Sequence, residues 1–72
     1  MNTQKLKAVM ALNGETSGEL AAHLGIARST LSLKMREKGA EFTQSEIAKI
    51  KSHYNLTAEE LEGIFFTAEV SA

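Results

Sequence analysis

The stretch Gly25-Ile-Ala-Arg-Ser-Thr-Leu-Ser-Leu-Lys-Met35 and the residues just beyond it gather most of the side chains that can recognise another macromolecule. Arg28 carries a planar fork that can pair bidentately with guanine, a contact worth roughly 1–3 kcal/mol of discrimination. Ser29 and Ser32 can donate or accept without selecting strongly. Lys34, Arg36 and Lys38 have the charge and reach to meet phosphate, each neutralised phosphate adding salt dependence to binding. They equally suit a solvated helix end, where cations complement the helix dipole. Leu33 breaks this polar pattern. At about 100° per residue from an inward Leu31, Ser29 and Leu33 point away from the core on either side of the outward direction. An outward Leu can touch a thymine methyl, anchor a protein contact inside a polar ring, or be an ordinary exposed residue.

Other chemistry finds little support. His23 and His53 stand thirty residues apart with no further His or Cys at ligand spacing, so no metal site is expected. No Ser-His-acid arrangement stands out, and no glycine-rich strand-to-helix loop is present to cradle a nucleotide. No enzyme, cofactor or small-molecule substrate is expected.

The elements that must carry these residues are helical. The 72-residue chain has no Pro and no stretch with the alternation of a half-buried strand. A first helix is expected from about Thr3 to Asn13, with Leu6, Val9 and Met10 inward and Gly14 ending it in a left-handed turn. Three later starts repeat one signature, Thr-x-x-Glu, at Thr16, Thr43 and Thr57. In each, the Thr oxygen can accept from a free first-turn amide while the Glu reaches back to the Thr amide. The helices they open would span about 17 to 24 (Leu20, Ala21 and Leu24 inward), 44 to 54 (Ile47, Ile50 and Tyr54) and 58 to 66 (Leu61, Ile64 and Phe65). The remaining helix, about 28 to 37, has Leu31 and Met35 one turn apart and Gly39 at its end. Short connections require neighbouring helices to pack on each other. Residues 67 to 72 should fray. Phe65 and Phe66 are adjacent, so only one can be fully buried; Phe65 suits the core, leaving Phe66 and Val70 either folded over it or available for a weak homodimer.

Size and charge bound the reading. One small domain, residues 1–72, is expected, near the lower limit for folding without a staple. With no Cys, stability must come from an apolar core, as is usual inside cells. No apolar run approaches the ~20 residues of a membrane span, and the opening is too polar for a signal peptide, so a cytoplasmic protein is expected. The net charge is −1, but residues 1–39 carry +3 and the rest −4. A basic half can approach phosphates while an acidic half stays clear, though the field is weak for a nucleic-acid binder and ordinary scatter would look the same.

Gly25 to Ala27 form a tight connection with glycine where positive φ is cheapest, and Ala21 is small where two crossing helices would come closest. With these residues in place, SGELAAHLGIARSTLSLKM resembles the helix-turn-helix of the lambda-repressor and Cro-like family of phage and bacterial regulators. In that family an Ala, a Gly four residues on and an aliphatic six further recur, here Ala21, Gly25 and Leu31. FTQSEIAKIKSHYNLTAEELEGIF is similar to the family's fourth and fifth helices. The resemblance implies an all-α, five-helix domain with the helix-turn-helix at about 17–37. It further implies that Arg28, Ser29 and Ser32 lie where base edges are read, and that Ser17 lies where phosphate is held.

Two departures weaken DNA reading. Relatives often place Gln where this chain has Ser17 and Gly18, and a Ser or Thr cap where it has Ala27. The shorter Ser17 cannot span the distance Gln would cover, and the lost cap should cost on the order of 1 kcal/mol. Among small phage regulators the chain most resembles the modulator-of-repression proteins, which bind the phage repressor and alter its operator occupancy. That resemblance implies a repressor's DNA-binding domain as partner, with Ser17, Arg28, Ser29, Ser32, Leu33 and Arg36 as the binding set. The alternative is a Cro-like protein that reads operator DNA itself, with helix three in the major groove and Lys34 and Lys38 on phosphate.

Overall fold

Three of the helix starts are built from the same reciprocal cap. Thr16, Thr43 and Thr57 accept from the amides of Glu19, Glu46 and Glu60 at 3.1–3.2 Å, and each Glu carboxylate accepts from the amide of its Thr at 2.8–2.9 Å. Two otherwise unpaired amides are thereby satisfied at each start, which fixes where the helix begins. A computed structural model describes residues 1–36 and 41–66. It contains α1 (Thr3–Leu12), α2 (Ser17–Leu24), α3 (Arg28–Met35), α4 (Gln44–His53) and α5 (Ala58–Phe65), and no strand among the described residues.

The helix starts match expectation, as does the end of α2 at Leu24, while the other four ends fall one or two residues short. Asn13, Arg36, Tyr54 and Phe66 act as C-caps rather than helical residues. The expected stop at Gly39 and the expected fraying of 67–72 lie outside the described residues. Asn2, unremarked in the sequence, caps α1 by accepting from the Lys5 amide at 3.1 Å. At Ala27, as the missing hydroxyl implies, α3 has no side-chain cap.

The core draws on every helix: Leu6 and Met10 from α1, Leu20, Ala21 and Leu24 from α2, Leu31 and Met35 from α3, Ile50 from α4 and Ile64 from α5. Tyr54 and Leu56, between α4 and α5, complete it. Asn55 between them takes φ +54°, a left-handed conformation that Asn tolerates, and this lets the chain fold Leu56 inward immediately after α4. Ile47 and the α5 residues Leu61 and Phe65 are half-buried rather than inside. Phe65 instead stacks edge-on against Phe42, with ring centroids 5.4 Å apart.

α2 and α3 make the most extensive helix–helix contact. Between them Gly25 sits at φ +74°, and the amide of Ile26 donates to Ala21 O at 3.0 Å. Nothing lies within 4 Å of a Cβ built on Gly25, so its requirement is conformational. Gly25→Ala is therefore expected to lower stability by about 1 kcal/mol, measured by chemical denaturation. No helix among the described residues is long and apolar enough to cross a membrane.

Candidate functional site

α3 presents three kinds of surface, set by its helical period. Leu31 and Met35 face the core. Arg28, Ser32 and Arg36, four residues apart, run along the flank that faces α1 and the start of α2. Ser29 and Leu33 occupy the outer crest, where Leu33 keeps 40 % of its surface exposed.

The flank closes on a recess of about 260 Å³ lined by Thr3 and Lys7 of α1, Ser17 of α2, and Arg28, Ser32 and Arg36 of α3, with Met35 at its base. The structure thus brings together four of the residues singled out in the sequence: Ser17, Arg28, Ser32 and Arg36. Ser29 and Leu33 lie outside the recess. Arg36 Nε donates to Ser32 O at 3.4 Å, which keeps its side chain along the helix.

Lys34 is a correction. Expected on phosphate or in solvent, it is only 9 % exposed, on the flank of α3 opposite Arg28 and Ser32. Its ammonium donates to Glu41 O at 2.8 Å, pairs with Glu46 at 3.0 Å, and lies 6.0 Å from the centre of the Phe42 ring. Lys34 lies three residues beyond the buried Leu31, at the edge of the inward stripe. The carboxylate that meets it there is the capping residue of α4, which turns it inward. Burial raises the Glu46 carboxyl pKa, but hydrogen bonds from Thr43 and the contact with Lys34 outweigh it, leaving it below the ordinary range. Lys38 lies outside the described residues.

A second polar cluster was not visible in the spacing. Glu15, in the α1–α2 link, accepts from Tyr54 Oη at 2.7 Å and pairs with His53 Nε2 at 2.8 Å. The ring of His23 on α2 stacks on His53 with centroids 3.9 Å apart. The contacts join residues thirty or more positions apart, so no local pattern could announce them. This cluster ties the link before α2, through Glu15, and the last turn of α2, through His23, to the end of α4. Among the described residues, no group of three or more His, Cys, Asp or Glu is arranged to hold a metal ion.

Hydrogen bonds from Tyr54 and His53 hold the Glu15 carboxyl below the usual range, while burial and then Glu15 itself push the Tyr54 phenol well above its own. A carboxyl whose folded pKa is lowered contributes stability that is present above the unfolded value, about 4.3, and is lost as pH falls through the folded value. A phenol whose folded pKa is raised contributes stability present below the unfolded value, about 10, and lost as pH rises toward the folded one. Thermal melts from pH 3 to 11 are expected to show a plateau between these limits, with Glu15→Gln flattening the acid limb and Tyr54→Phe the alkaline limb. Unaltered limbs in both variants would show that the cluster does not govern pH stability.

Phe66 is 60 % exposed and lines a groove with Phe42, Ile47 and Leu61. Val70 lies outside the described residues. Leu12, at 87 % exposed, is a further apolar surface residue that the sequence pattern did not single out. In comparisons with family profiles, with curated proteins and with solved structures, none matches this chain.

Proposed function

We propose that this chain is a small phage transcriptional regulator of the lysis–lysogeny switch, acting in the host cytoplasm. Its α2–α3 pair serves as a helix-turn-helix whose outer face binds the DNA-binding domain of the partner phage repressor and modulates its operator binding. The supporting observation is the composition of that face. Leu33 stands exposed on the crest beside Ser29, with Arg28 and Arg36 on the flank, while Lys34 is withdrawn into an ion pair with Glu46. An apolar spot within a polar rim suits a protein partner, and the loss of Lys34 thins the cations a phosphate backbone would require. The resemblance carried by Ala21, Gly25 and Leu31 supplies the class of partner.

A second reading is favoured by the convergence of Ser17, Arg28, Ser32, Arg36 and Lys7 on one recess: autonomous, Cro-like operator binding by α3. One titration separates the two. The chain is added to the phage operator, with and without the repressor, at two salt concentrations. The proposal expects no specific binding to operator alone and a changed operator occupancy when repressor is present. Tight, sequence-specific and salt-dependent binding by the chain alone would overturn it in favour of the second reading.

A further inference from the structure

Lys7 belongs to the recess only because of how α1 meets α3. Thr3 Oγ1 donates to Met35 O at 2.7 Å, seating the start of α1 beside the end of α3. Lys7 is one turn along from Thr3 on the same face of α1, so the same contact aims it at the flank carrying Arg28, Ser32 and Arg36. Arg28 is positioned from the other side. Its Cδ lies within van der Waals reach, 3.8 Å, of the Cβ position of Gly18, so its stem crosses the start of α2. Ser17 and Ser32 add hydroxyl groups to the lining.

Three cations from two helices therefore surround one small concavity that, among the described residues, no acidic side chain lines. Among the described residues, no carboxylate forms an ion pair with Lys7, Arg28 or Arg36. Like charges so placed repel one another, and an anion seated among them would relieve that repulsion. Two guanidinium forks and flexible hydroxyl donors match the planar oxygen pair of a carboxylate. The recess, at about 260 Å³, suits one side-chain head rather than an extended track of phosphates.

We infer that this recess is a carboxylate-binding site and, resting on the functional reading above, that it receives an acidic side chain of the repressor beside the apolar contact made by Leu33. Lys7 is thereby a binding residue that lies outside α2 and α3.

The test is an NMR titration of the ¹⁵N-labelled full chain with glutarate, and separately with inorganic phosphate, at ionic strength held constant with sodium chloride. Glutarate should shift the amides of Ser17, Gly18, Arg28 and Ser32 saturably. Lys7→Gln and Arg36→Gln should each weaken this at least fivefold with unchanged circular dichroism, and Lys7→Arg should restore it. Linear shifts, shifts reproduced by chloride, or undiminished affinity in both Gln variants would overturn the site. Saturation by phosphate but not glutarate would overturn the carboxylate assignment. Glutarate binding by a chain that leaves the repressor's operator occupancy unchanged would overturn the functional reading and leave the recess standing. Repressor binding insensitive to Lys7→Gln would overturn the placing of a repressor side chain in the recess and leave the functional reading standing.

Discussion

Leu33→Asp is expected to abolish measurable binding of the chain to the phage repressor while leaving the fold intact. Leu33 lies on the crest of α3 with 40 % of its surface exposed, so the core does not depend on its outer atoms. A buried apolar anchor at the centre of an interface contributes about 2 kcal/mol or more, roughly thirtyfold in affinity. Aspartate removes that contribution and also places an unpaired charge where water is excluded. Calorimetry with repressor alone reads the effect without interference from DNA, which a new negative charge would also repel. Leu33→Met, which keeps volume and apolarity, should retain most of the affinity. Unchanged binding by Leu33→Asp, with an unchanged thermal midpoint, would show that the crest is not the anchor.

The second large effect is on stability. Lys34→Met keeps most of the buried stem but removes the ammonium that satisfies Glu41 O and faces the Glu46 carboxylate. Breaking one side of a largely buried pair leaves a charge without its counter-ion, and the loss should be about 3 kcal/mol. In so small a domain that is a large part of the total. Glu46→Gln can still cap Thr43 through its side-chain oxygen, so the double variant Lys34→Met/Glu46→Gln should recover part of the loss. Urea denaturation of the four chains measures the coupling. If Lys34→Met left stability unchanged but weakened operator binding and lowered its salt dependence, Lys34 would be a phosphate contact after all.

The contrast between Lys34 and Leu33 shows how a helical period informs and where it stops. Angle alone sends Leu33 outward and puts Lys34 at the margin of the buried stripe. At that margin the outcome depends on what the facing helix offers, and α4 offers the Glu46 carboxylate. Likewise the family resemblance marks Ser17, Arg28, Ser32 and Arg36 along with Ser29 and Leu33, but Lys7 joins the first four only through the meeting of α1 with the end of α3.

By itself the sequence determined the helical class, the three Thr-x-x-Glu starts, the left-handed turn at Gly25 and most of the inward stripes. These depend on interactions within a few residues, which local spacing records. Tertiary structure alone decided the burial of Lys34, the recess that gathers Lys7 with the α3 cations, and the Glu15–His53–Tyr54 cluster with His23 stacked on it. In each of these, the deciding partner lies on another element, so the free energy that places the side chain exists only once the helices have packed.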